Sequence, residues 1–532
     1  MVDAQSVPAK KVSQSPIAES RAPYGDPSIT VESPERMFET AELGHTIAKA
    51  VFNRAVPKLR SDLLDVQYRL KENGTFPVII LISGVRGAGK GETVNLLNEW
   101  MDPRHILTHA FDTPSDEERD RPPMWRYWRT LPPKGKIGIL FGSWYTAPII
   151  DRVFRNTGRG DLLQSIEEIN RFEKMLTDEG ALILKFWFHL SKEAQRRRLK
   201  ALRSDPETRW RVTKRDWDFF RRYDRFYRIS GETLRATSTA DAPWIVVEGA
   251  DPPFRSLTVG KALLGAMRNR LEAPAVRGPA VSKAAPIVHP IDKRGVLTQL
   301  DLSRALTEKA YKTELLVWQG RLNRLARDAK FPRLSVALAF EGMDAAGKGS
   351  TIRRVTAGLD ARHYNVIPVA APTDEERAQP YLWRFWRHLP RKGRVTIYDR
   401  TWYGRVLVER IEGFCAEADW MRAYAEINDF EEQLERSATV LCKFWMQISR
   451  EEQLRRFKER ERMRFKRFKI TPEDWRNREK WDLYQSAAAD MIERTSTGSA
   501  PWTLVEANDK KFARLKVLKT ICKRIERAFD KL

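Results

Sequence analysis

Short apolar runs alternate along this chain with longer stretches whose apolar positions recur at helical spacing. In the second half the runs fall at 335–341, 366–370, 395–398, 439–448 and 502–506, and 311–329 forms a helical lead-in to the first of them. A comparable run stands at 78–83 in the first half. Short strands separated by helical segments predict βαβ units, hence a parallel sheet with helices on both faces. In such folds the ligand sits at the carboxyl ends of the strands.

Two regions lack this pattern. Residues 1–35 and 272–296 are rich in Ala, Pro and small polar groups with few bulky apolar ones, and read as a disordered arm and a linker. They leave two modules, 36–271 and 297–532, and the modules repeat one another. The offset of 258 residues from Gly84 to Gly342 also relates His105 to His363, Glu117 to Glu375, Trp125 to Trp383, Trp128 to Trp386, Trp144 to Trp402, Phe172 to Phe430, Lys185 to Lys443 and Trp244 to Trp502. The expected fold class is therefore α/β: a duplicated, P-loop kinase-like three-layer sandwich with parallel sheets.

Composition narrows the partners. A chain of 532 residues exceeds one hydrophobic core, and 42% hydrophobic content supports two packed domains. The formal net charge of +24 favours polyanionic ligands without choosing among them. Three widely spaced cysteines give no disulfide framework, and neither a signal peptide nor a run of membrane-spanning length is visible, so a cytoplasmic protein is expected.

Each apolar run at 78–83 and 335–341 is followed by a glycine loop that opens a helical stretch. In the second module it reads Gly342-Met343-Asp344-Ala345-Ala346-Gly347-Lys348-Gly349-Ser350. Glycines let backbone N–H groups wrap an anion, the helix N-terminus adds its positive end, and Lys348 brings a point charge to phosphate oxygens. The position after the lysine, normally a Ser or Thr that meets magnesium, is Gly349, whereas Asp344 lies inside the loop. A carboxylate beside phosphates is unfavourable unless a cation lies between them, so Asp344 is read as a metal ligand or as orienting the accepting phosphate. A second acid, Asp399, ends the run 395–398, where such folds hold magnesium. Arg400 and Arg405 follow with forked donors for a transferring phosphoryl group. The plainer alternative is a structural Asp399–Arg400 ion pair.

The first copy bears on this choice. It places Arg86 at the position of Asp344, Phe141 at Asp399, Gly142 at Arg400 and Ala147 at Arg405, while keeping Lys90 and the glycines. Packing residues persist and the candidate metal ligands do not, so catalysis is expected in the second module alone. Between loop and acid, Trp383 and Trp386 share a helical face flanked by Arg384 and Arg387. All four persist as Trp125, Trp128, Arg126 and Arg129. Packing is favoured for the tryptophans, and the arginines are kept as substrate-binding candidates. The basic run 455–469 is open between a solvated face and a track for a long polyanion.

Taken together, the loop 341–349, Tyr398-Asp399-Arg400-Thr401-Trp402-Tyr403-Gly404-Arg405, Phe430-Glu431, Lys443-Phe444-Trp445 and Ala500-Pro501-Trp502 resemble the polyphosphate kinase 2 family across 300–520, with a decayed version across 40–265. Tandem architecture resembles its two-domain branch, associated with polyphosphate:AMP phosphotransfer. Gly404 stands where many single-domain members carry Asn. The resemblance implies Mg2+, inorganic polyphosphate as donor and a nucleoside monophosphate, AMP, as acceptor, with neither nucleic acid nor membrane as partner and a homo-oligomer compatible with it. It assigns catalysis to Asp344, Lys348, Asp399 and Arg400, and metal binding to Asp344 and Asp399. Substrate binding is expected from Gly342, Ala345, Ala346, Gly347, Gly349, Ser350, Arg405, Arg384, Arg387 and Lys443. The implied reaction is direct in-line transfer; none of the seven histidines sits in a phosphohistidine motif. Alternatives are an ATP-dependent nucleotide kinase, a nucleic-acid-binding protein, which leaves the selective loss of acids unexplained, and an inactive scaffold, which the intact acids oppose.

Overall fold

The computed structural model describes residues 34–273 and 295–532. The expected linker falls almost wholly outside them, as does the expected arm. Each module carries a five-stranded, all-parallel sheet. In the first, β1 (Val78–Gly84), β2 (Ile106–Ala110), β3 (Ile137–Phe141), β4 (Leu182–His189) and β5 (Trp244–Glu248) are ordered β2-β3-β1-β4-β5. In the second, β6 (Ser335–Gly342), β7 (Tyr364–Pro368), β8 (Val395–Asp399), β9 (Thr439–Gln447) and β10 (Trp502–Glu506) repeat that order as β7-β8-β6-β9-β10. The central strands β1 and β6 are buried along almost their whole length because helices cover both faces of each sheet.

One strand departs from its apolar run. The run 366–370 becomes β7, two residues earlier, because pairing with β8 sets its register from Tyr364↔Val395 to Pro368↔Asp399. On a half-exposed edge strand, apolarity marks position poorly and the ladder decides it.

The modules meet through matching surfaces. Trp128 stacks on its own counterpart Trp386, with centroids 5.4 Å apart and planes at 14°. Lys134 N–H donates to the Ala378 carbonyl and Lys392 N–H to that of Asp120, which is the same contact made twice. Arg121 Nε to Leu389 O and Gln379 Nε2 to Leu131 O form a second such pair, each 3.1 Å. Reciprocity of this kind is the signature of a two-fold interface, here between two halves of one chain. The tryptophans are thus packing residues, as the repeat suggested.

Candidate active site

The loop between β6 and the helix Lys348–Thr356 is shaped by backbone that only some residues tolerate. Gly342 has φ 143°, and a Cβ there would lie 2.4 Å from the Met446 carbonyl oxygen on β9. Gly347 has φ 104° and leads into the first helical turn, whose N–H groups lack intrahelical partners. Two non-glycine residues of the site, Ala345 (φ 61°) and Arg400 (φ 67°), also adopt left-handed backbone, a strained choice for L-residues.

A cavity of about 610 Å³ opens at the carboxyl end of the second sheet, bordered by Asp344, the loop 345–350, Asp399 and Arg400. Asp344 accepts from Asn477 Nδ2 at 2.9 Å and faces Arg400 Nη2 at 3.4 Å. The Asp399 carboxylate accepts no hydrogen bond among the described residues, although its backbone carbonyl accepts from Val369 N–H at 3.0 Å; the side chain lies beside Gly349, where an added Cβ would be 3.6 Å from Oδ2. Lys348 Nζ rests on the loop itself, 2.6 Å from the Gly342 carbonyl. Beneath it lies buried Glu341, which accepts from Thr401 Oγ1 at 2.8 Å. Burial pushes the Glu341 carboxyl above its ordinary range, and Lys348 and Arg400 pull the other way.

No group of three or more His, Cys, Asp or Glu is gathered to cage a metal among the described residues. Asp344 and Asp399 are instead two hard oxygen donors at the phosphate loop. That set fits a hard divalent cation that keeps water and substrate phosphates as its remaining ligands.

The other sequence candidates divide. Gly342 shapes the loop, and Ala345, Ala346, Gly347, Gly349 and Ser350 line the cavity, with Ser350 Oγ donating to Gly347 O at 2.9 Å. Arg405 is turned away: it pairs with Glu409 at 2.8 Å, lies 4.3 Å over the Tyr381 ring and approaches Glu179 of the first module. Lys443 is fully buried on β9, bonded to Glu431 at 2.7 Å, Thr495 O at 2.6 Å and Tyr403 at 3.0 Å, so it is a core cation with no path to substrate. Arg384 donates to the Ala370 carbonyl and faces Glu376, while Arg387 lies over Trp383 and pairs with Glu375; neither borders the cavity.

Sequence reasoning missed Glu341, Asn477 and the work of Arg456. The last is buried and donates to the carbonyls of Ala345, Ala346, Ala507 and Asn508 at 2.6–3.0 Å, clamping the loop to the end of β10. One member of the basic run is therefore a structural brace, whereas Arg460 borders the cavity together with Arg353, Lys510 and Arg514.

Parallel sheets of this strand order, with a glycine loop and a following lysine at the tip of the central strand, define a P-loop kinase-like module present in two copies, of which the second carries an acid, Asp399, at the neighbouring strand tip. The family model for polyphosphate kinase 2 (PPK2) matches residues 46–274 and again 305–531. A polyphosphate:AMP phosphotransferase of Pseudomonas aeruginosa is 57% identical over 93% of this chain and 100% of its own length. One from Acinetobacter johnsonii is 41% identical over 90% and 98%. The crystal structure of a polyphosphate kinase 2 from P. aeruginosa superposes with a TM-score of 0.85 at 54% identity, covering 93% of this chain and all of the other. The chain belongs to the polyphosphate kinase 2 family.

Proposed function

We propose that this chain is a polyphosphate:AMP phosphotransferase whose second module, 297–532, makes ADP, while 36–271 is a non-catalytic copy joined to it by 272–296. The observation that carries the assignment is the paired set Asp344 and Asp399 over an intact loop in one copy, replaced by Arg86 and Phe141 in the other. Full-length similarity to enzymes bearing that name supports the substrates.

A phosphate oxygen of AMP attacks the terminal phosphorus of polyphosphate; the bridging P–O bond breaks, and the chain leaves one unit shorter with the charge on its new terminal oxygen. The nucleophile is already an anion, so no general base is needed. Loop N–H groups and Lys348, drawn off the Gly342 carbonyl, hold the donor phosphates. Arg400 neutralises charge on the moving phosphoryl group, and Asn477 keeps Asp344 oriented. We assign Mg2+ to Asp344 and Asp399; when bound it shields the repulsion between donor and acceptor phosphates. The cationic border of Arg353, Arg460, Lys510 and Arg514 suits a long polyanion.

A cytoplasmic site is consistent with three free cysteines, two of them buried; no helix among the described residues is long and apolar enough to cross a membrane. One chain already holds a two-fold pair of modules, and sedimentation of the intact protein tests whether chains associate further. The decisive assay is ADP formation from AMP, polyphosphate and Mg2+ without ATP. Turnover in the wild type and its loss in Asp344→Ala is the expected result; a requirement for ATP would instead make this an ordinary nucleotide kinase.

A further inference from the structure

The first module also carries a cavity at the carboxyl end of its sheet, about 750 Å³, and so larger than the catalytic one. Its loop keeps the anion-binding shape: Gly84, Gly87 and Gly89 all have positive φ, and the helix Lys90–Trp100 begins at the lysine. Its walls have changed character. Phe141, Ile149, Ile150, Phe219 and Phe226 give it an apolar, aromatic lining, and no carboxylate stands where Asp399 would be.

Among the described residues, three buried polar groups lining this cavity have no hydrogen-bond partner: Ser83 Oγ, Trp187 Nε1 and Gln195 Oε1. The residues are 9%, 2% and 3% exposed, so each is a buried side chain in the cavity wall and not a surface group. Every counterpart in the catalytic module is satisfied internally. Glu341 is bonded by Thr401, Trp445 Nε1 donates to Gln447 Oε1 at 2.7 Å, and Gln453 Oε1 accepts from Arg478 at 3.1 Å. The first copy has His189 in place of Gln447 and Phe220 in place of Arg478. Orphaned buried donors and acceptors are each destabilising, so three around one cavity are costly unless a ligand satisfies them.

We propose that the first module's cavity binds a nucleoside phosphate without a divalent cation. The phosphate would lie on the loop near Lys90 and Arg86, the base against the phenylalanines, and the orphaned groups would supply hydrogen bonds. Arg86 occupies the place of Asp344, so the loop presents a cation where the catalytic copy needs a metal between two anions. Arg86 is held by Asp216 at 2.8 Å and lies 4.3 Å over the Phe219 ring. Burial and the neighbouring Arg86 lower the Lys90 pKa to about 7, against a weaker opposing pull from Asp216, so an arriving phosphate would recharge it. A free phosphate chain, with no base to stack, would leave the aromatic walls unused.

The test uses the full chain carrying Asp399→Asn, in EDTA, with AMP and ADP as probes in titration calorimetry and an 8-azido adenosine phosphate for photolabelling. Expected are saturable binding, a label in peptides containing Phe141, Trp187 or Phe219, competition by AMP, and at least tenfold weaker binding in both Lys90→Met and Phe141→Asp. A label confined to 344–400, unchanged binding in both variants, or displacement by polyphosphate but not by AMP would overturn the proposal.

Discussion

The two glycine loops are the same backbone put to different chemical ends. Around Gly342 the buried neighbour of the lysine is Glu341 and the loop carries Asp344; around Gly84 these positions are Ser83 and Arg86. One substitution removes a carboxylate beneath the lysine and the other places a like charge beside it; burial first, and then Arg86, drive Lys90 down to about 7. Retention of a phosphate loop is thus separable from retention of phosphoryl chemistry. The glycines preserve a shape, and the acids around them decide what it does.

Removing one functional group from each copy separates their roles most sharply. Asp399→Asn keeps the size of the side chain but loses its charge and is expected to cut ADP formation by about 1,000-fold or more. Lys90→Met should leave turnover within about twofold. Initial rates with saturating AMP and polyphosphate decide it, and equal losses in the two variants would end the division of labour between modules.

Next in size is the clamp. Arg456→Ala strips hydrogen bonds from four carbonyls and leaves Glu452 without its 2.6 Å partner, so a loss of about 3 kcal/mol in stability is expected. Its counterpart Arg198 is substantially exposed and pairs with Glu92, so Arg198→Ala should change stability by no more than about 0.5 kcal/mol. Chemical denaturation of both variants checks the contrast. In the first module Arg255 has taken over this position against the loop, bonding Gly249 O, Thr93 and Glu92.

That exchange marks the limit of what the sequence disclosed. The repeat, the sheet class, the loop and both acids were legible because each depends on residue type at fixed spacing. Arg456 was not, because a run of basic residues does not tell which side chain turns inward. Lys443, expected at the substrate, stands within an apolar strand and Arg405 beside the strand-tip motif, and residue type alone does not show which way either cation points. A signal for Lys443 did exist: Lys185 with Glu173 repeats Lys443 with Glu431 in both copies, at the same 2.7 Å. A charge pair kept by a copy that has lost its active-site acids reports packing. Glu341 offered the opposite signal, since an acid ending a buried strand is replaced by Ser83 in the copy that also lacks the others.

The module boundary supplies a pH-dependent test. Burial pushes the Glu426 carboxyl up to about 7, and Glu179 from the first module pushes the same way while Arg422 and Arg405 pull it down. Its Oε2 has no hydrogen-bond partner among the described residues. The folded pKa lies above the unfolded value near 4.5, so the folded state holds the extra proton between these values, and stability falls as pH rises from 4.5 to 7. Glu426→Gln mimics the protonated form. It should gain about 2 kcal/mol at pH 8 and almost nothing at pH 4; a variant curve parallel to the wild type across that range would exclude the buried carboxyl as the cause.

The smallest expected effect asks whether strain in the catalytic loop has a purpose. Ala345 holds φ 61° where the first copy has Gly87 at φ 83°, and Arg400 holds φ 67° where it has Gly142 at φ 77°. The non-catalytic copy therefore has glycine at both strained positions. Ala345→Gly relieves about 1 kcal/mol of left-handed strain, offset by about 0.4–1 kcal/mol from the greater freedom of glycine in the unfolded chain. Stability should hence stay within about 1 kcal/mol of wild type by denaturation. If alanine serves only as a small residue beside phosphate, turnover will stay within about twofold. A tenfold fall in kcat at unchanged stability would mean that the stiffness of this backbone positions Asp344, one residue earlier, and that the glycine in the first copy is itself part of how catalysis was lost.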